Sequence, residues 1–336
     1  MATNDFKPFA TGAGANVMSQ SDYLALAALI TGFQSGKASS AQVNKALRQS
    51  STMAALIGQF IANAGSDALD DGDLSGLVTK FTNALAANPE SRKVYTGIVG
   101  DTRNARMSVT AASATATYTA DSVIVEDSSG RQYRIKSLSA NINLATTGAG
   151  GMDTGTVPVT GFVALYAIYN PTNGNKALLA VNATAAAVPE IYGGVNMPAG
   201  YTASALVSVW PVAASKFIIG LQQGRKFDVQ YASVMTTTAP TSGYQPFPIS
   251  SSVPANAKAW SGGINISGSQ SIVGIVSADA GGMDAARMAA TGAAGTAVST
   301  SAPFRDVSII TPQTAYYFFT ASGTSAINIY YSGYIF

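Results

Sequence analysis

The chain of 336 residues has a formal net charge of +2, 47% hydrophobic residues, only 11% charged ones, and neither cysteine nor histidine. The absent Cys and His exclude the usual zinc sites, thiol chemistry, a Ser-His-Asp triad and disulfides. Basic residues are scattered, nine of 19 before residue 107 beside eight of 17 acids, which leaves no stripe for nucleic acid, and a charged share far below the usual ~25% argues against disorder and for a β-rich, tightly assembled protein.

The opening residues MATNDFKPFATG lack a charged region followed by an apolar core, so no signal peptide is expected. No apolar run approaches the ~18 residues of a membrane span, so no membrane insertion is expected either. Residues 1–18 carry no period, and read as an extended arm whose Phe6, Phe9 and Val17 dock on another surface. The spacing predicts that the arm is disordered in the free protein and ordered by a partner.

A helical segment is expected over 19–89. Tyr23, Leu26, Ala27 and Ile30 share a helical face that stops near Gly32. Over 39–65 the positions Val43, Leu47, Ser50, Ala54, Ile57, Ile61 and Ala64 are spaced 4, 3, 4, 3, 4, 3, an a/d seam on a helix roughly 35–40 Å long. Ser39 or Ser40 would cap its start and Gly65 its end. Ser50 and Ala54 weaken the middle of the seam, so extra helices or extra chains must complete it; a helix of a monomeric bundle is the other reading of the same period. A third helix begins at Asp73, with Leu74, Leu77, Val78, Phe81 and Leu85 on one face, and ends at Asn88-Pro89. Residues 90–108 lose the period and cluster charge, which reads as a linker.

Beyond residue 108 apolar and polar residues alternate, and Gly, Asn, Pro and Ser break the chain every 8–12 residues, the pattern of β-sandwiches and barrels. The fold class expected is mainly β with an N-terminal α-helical segment. Two β-sandwich-like domains, 109–226 and 227–336, would stand in an intertwined homotrimer. Hairpins are expected for 122–126 with 131–135 and for 162–169 with 177–182. FVALYAIY, apolar on both faces, belongs inside a sandwich or against a neighbouring chain. In the second block, strands are expected near 263–267, 271–277, 305–310, 314–320 and 325–331. AGGMD occurs at 149–153 and again at 280–284, with INL and INI upstream, which reads either as a diverged duplication or as reused loop chemistry.

Motifs of catalysis are weak. The run from Gly32 to Ser39 lacks the spacing, the Ser/Thr after Lys37 and the preceding strand of a phosphate loop. Asp67, Asp70, Asp71 and Asp73 lack calcium-loop spacing and suit a helix N-terminus. Asp121, Asp153, Glu190, Asp228 and Asp284 include no pair that the sequence certifies. No cofactor or metal is expected. The candidate binding residues are the aromatics Trp260, Tyr316, Tyr317, Tyr330, Tyr331 and Tyr334, part of a cluster crowding the end of the chain. Alternation should send half of the cluster inward as core and leave the other half to be covered by a partner chain or exposed for binding, with core plus subunit interface the fate of most.

FATGAGANVMSQSDYLALAALITGFQSGKASSAQVNKALRQSS resembles the N-terminal segment of tail fibre proteins of tailed bacteriophages. LATTGAGGMDTG, GFVALYAIYNP and GGVNMPAGYTASALVSVWP are similar to β modules of such fibres. The resemblance covers roughly residues 4–60 and 140–225. It implies a non-enzymatic homotrimer in the virion tail, made in the host bacterial cytoplasm. The N-terminus would join a phage tail or baseplate protein, and distal β domains would meet a host surface polysaccharide or protein. The chain departs from longer fibres in having no long repetitive shaft. A short adaptor carrying another receptor-binding protein is the alternative, and a polysaccharide depolymerase, which a β-helix-like repeat would mark, is a third.

Overall fold

The computed structural model describes residues 2–34, 36, 39–87 and 97–336. It is mainly β with an N-terminal helical segment, and divides into two compact units, Met1–Val94 and Tyr95–Phe336.

The first unit holds α1 (Gln20–Leu24), α2 (Ala28–Thr31), α3 (Ser40–Asn63) and α4 (Leu74–Ala87). The helix expected after Ser19 is split in two, and neither piece fully buries a residue, so little packing sustains a longer helix. Ser39 caps α3, where Gln42 Oε1 accepts from the Ser39 N–H at 3.4 Å, and Gly65 follows its end at φ +88°. Asp73 Oδ1 accepts from Gly76 N–H at 2.9 Å, so one member of the acidic cluster caps α4. The expected end of α4 at Asn88-Pro89 lies outside the described residues. Ile61, Ala68 and Ala84 are buried, flanked by Phe6, Phe60, Leu77 and Phe81.

The arm lies along α3 and the turn that follows it. Ala68 N–H donates to Thr3 O and Asp5 N–H to Ala68 O, both at 2.9 Å. Asn4 Nδ2 donates to Ala55 O, Phe9 N–H to Ser51 Oγ and Asn44 Nδ2 to Asn16 O, so the arm runs antiparallel to α3. Apart from the single bridge between Asn4 and Ala68, its bonds are mostly to or from side chains rather than in a ladder, which is why no period betrays them. Thr3 N–H and Oγ1 both donate to Asp67 Oδ1 and hold that carboxyl below its usual range.

The second unit contains β1 (Thr102–Arg103), β2 (Arg106–Val109), β3 (Thr115–Asp127), β4 (Gln132–Asn143), β5 (Thr160–Tyr169), β6 (Lys176–Asn182), β7 (Ala203–Ala213), β8 (Lys216–Phe217), β9 (Gly220–Gln223), β10 (Lys226–Thr237), β11 (Gln245–Pro248), β12 (Ala259–Ser277), β13 (Ala286–Thr291), β14 (Ala297–Ser308) and β15 (Thr314–Ile335). Its backbone path is β13-β12-β15-β10-β9-β2-β3-β7-β5-β6, every named pair antiparallel and the sheet not closed; β14 flanks β12, β11 flanks β15, β1 and β4 flank β3, and β8 flanks β7. Both expected hairpins form, as β3–β4 and β5–β6. FVALYAIY is almost wholly buried within the chain's own core.

Part of the expected linker is structured. Residues 102–103 and 106–109 are strands, with Ala105, Met107 and Val109 buried while Arg103 and Arg106 face outward. These alternations are too short to read as a period. The expected division at 226/227 falls inside β10, whose start pairs with β9 on one side and β15 on the other. Phe227 lies 4.7 Å from Trp210 and 5.0 Å from Tyr334, ring centre to ring centre, and Tyr334 Oη donates to Val209 O at 2.6 Å. One hydrophobic core thus spans both expected domains.

Long strands replace pairs of short ones. The segments expected near 263–267 and 271–277 are both β12, and those near 314–320 and 325–331 are both β15. Their ladder is interrupted between Ser267 and Val273, and a Cβ on Gly274 would meet Ile266 Cγ2 at 2.6 Å. The two halves of β12 therefore face each other around Ile264, Ile266 and Ile272.

Candidate functional site

Among the described residues, twelve of the nineteen exposed large hydrophobic side chains lie in the helical unit. On α3 Leu47 is 47% exposed, Met53 58%, Leu56 59% and Ile57 41%. Val43 and Ala54 are half-buried and Ser50 is exposed, its hydroxyl donating to Ala46 O and Leu47 O within the helix. Ile61 leaves the expected seam, because α4 packs there and buries it. Of the arm residues, Phe6 packs on the helical core, Phe9 is 48% exposed and Val17 is half-buried.

The candidate binding rings divide. Trp260, Tyr331 and Tyr334 are core, which corrects their assignment to a ligand surface. Trp260 packs edge-on against Phe304 at 4.8 Å, and burial pushes both tyrosine phenols upward. The register shift between Ser261 and Gly262 explains the pattern, since it lets Tyr331 and Tyr334, three residues apart, both turn inward. Tyr316 and Tyr317 are half-buried, the latter edge-on to Phe247 at 5.8 Å. Tyr330 remains on the outer face.

Tyr330 lines a cleft of about 390 Å³ with Tyr231, Gly263, Ile264, Asn265, Ser301, Ala302 and Pro303. Alternation builds it: Ile264, Ile266, Ile327 and Ile329 point into the core, so Gly263, Asn265, Asn328 and Tyr330 point out. A Cβ at Gly263 would lie 2.9 Å from Tyr231 Cε1, so only glycine lets that ring rest against β12. Tyr231 Oη donates to Gly262 O at 3.2 Å, and its ring sits 6.3 Å from that of Tyr330. Across the strands Thr236 stands opposite Asn328, Asn328 opposite Asn265, and Asn265 opposite Ser301. Thr236 Oγ1 donates to Asn328 Oδ1 at 2.9 Å. Sequence reasoning missed Tyr231 because no strand was expected over 226–237; its Val229-x-Tyr231 alternation was the available signal.

The carboxylates are otherwise engaged. Asp121 accepts from Asn104 Nδ2, Asp153 from Tyr192 Oη, Asp284 from Ser308 N–H, Glu190 pairs with Arg225 through both oxygens, and Asp228 pairs with Lys226. The two AGGMD strings occupy different settings: Met152 is buried and Met283 is 60% exposed. Comparison of the sequence with protein-family models and with curated proteins returned no match.

Proposed function

We propose that this protein is a tail fibre of a tailed bacteriophage, a homotrimer held to the tail through its N-terminal unit and adhering to the host surface through its β unit. The observation that carries the reading is the open apolar face of α3. A 24-residue helix with Leu47, Met53, Leu56 and Ile57 uncovered has not completed its burial within one chain. Three copies sharing the Val43, Leu47, Ser50, Ala54, Ile57 seam would cover Leu47 and Ile57 at its centre and Met53 at its flank. Phe9, with Leu24 at 70% and Ile30 at 93% exposure, is left for a tail or baseplate protein. Two sandwich-like layers in the β unit would then be repeated three times, so that weak single contacts add through avidity.

The test is binding of fluorescently labelled full-length protein to intact bacteria of a broad strain panel. Saturable binding to particular strains, displaced by unlabelled protein, is expected. Failure to bind any strain would shift the reading to an adaptor that carries a separate receptor-binding protein.

A further inference from the structure

Resting on the adhesion reading, we infer that the cleft between Tyr231 and Tyr330 is a binding site for an uncharged pyranose. None of its eight lining residues carries a charge, so a phosphate or carboxylate would enter unpaired. Tyr231, 54% exposed, offers a ring against which the apolar C–H face of a sugar can lie. Its orientation is fixed by the hydrogen bond to Gly262 O and by the close approach to Gly263, so little is lost in ordering it on binding.

The surrounding polar groups have capacity to spare. Among the described residues, the Asn265 amide, Ser301 Oγ, Tyr330 Oη and Asn328 Nδ2 have no hydrogen-bond partner, although they lie on one face of adjacent strands. An amide presents a donor and an acceptor side by side, and hydroxyls do either. Such a set matches neighbouring sugar hydroxyls, which also both donate and accept. The floor of the cleft, β12 and β15, is paired on both sides, so a peptide strand could add only at the outer edges of β10 and β14 and not across the cleft itself.

The experiment is saturation-transfer NMR on the full-length protein. The uncharged probes are methyl α-D-glucopyranoside, methyl β-D-galactopyranoside and N-acetyl-D-glucosamine, and the anionic ones are D-glucuronate and glucose 1-phosphate. At least one uncharged probe should give a saturable signal, with the anionic ones much weaker. Tyr231→Ala should weaken that binding roughly tenfold, as loss of one aromatic contact implies, and Asn265→Ala should weaken it without removing the ring. Melting temperature and sedimentation mass should be unchanged in both variants. The assignment is overturned if no uncharged probe binds, if the anionic probes bind equally well, or if Tyr231→Ala leaves binding intact. Cell binding without pyranoside binding would reject this site and leave adhesion standing. Pyranoside binding at the cleft without cell binding would support the site and reject adhesion.

Discussion

Ile57→Asp and Leu47→Asp should each take the protein from three chains to one while leaving the melting transition of the β unit in place. In a single chain these side chains are 41% and 47% exposed, so a carboxylate there would meet water and change stability by no more than about 0.5 kcal/mol. In a three-stranded seam the same substitution places three like charges around one axis and removes them from solvent. Burying an unpaired charge costs several kcal/mol, about 3–5 when a buried partner is missing. Sedimentation velocity reads the difference directly. Ser50, in the middle of the stripe, already satisfies its hydroxyl within the helix, so it lowers seam stability without demanding a partner. Variants that keep the parental mass would place any self-association elsewhere.

Trp210→Ala should destabilise the whole β unit by about 3–5 kcal/mol, the usual cost of deleting a large buried aromatic. Trp210 is fully buried, packs edge-on to Phe217 and Phe227, and donates from Nε1 to Ile218 O at 3.1 Å. Through Phe227 and the Tyr334–Val209 hydrogen bond it supports strands on both sides of residue 226. The chain has two tryptophans, so the variant leaves Trp260 as the sole reporter, in the other sequence block. Urea unfolding followed by Trp260 fluorescence should show a lowered midpoint with a single transition. An unchanged Trp260 midpoint would mean that 109–226 and 227–336 unfold as independent domains, as the sequence pattern alone suggests.

Local chemistry was legible where it repeats over enough residues. The 24 residues of α3 announce themselves by a heptad, and the β3–β4 and β5–β6 hairpins by Asp127 to Gly130 and Asn170 to Gly174. Long-range pairing was not legible. Gly268 and Gly323 look like strand ends, but the chain runs on through an interrupted ladder, which merges four expected strands into β12 and β15. A two-residue strand such as β1 offers no period at all. The Tyr231–Tyr330 cleft was half visible: Tyr330 belonged to the aromatic cluster, but its companion Tyr231 lies almost a hundred residues earlier and is brought beside it only by the β10–β15 pairing. Conversely, Trp260, Tyr331 and Tyr334 met the same composition rule but are core: Trp260 and Tyr331 follow the inward alternation of Ile264 and Ile329, and the register shift turns Tyr334 inward as well.

Self-assembly into several chains would cover the open α3 stripe and supply the avidity proposed for weak single contacts. Sedimentation equilibrium of the full-length protein at micromolar concentration tests this most directly. A mass of about three times 34.2 kDa, independent of loading concentration, is the expected result. A stable species of 34.2 kDa would contradict it.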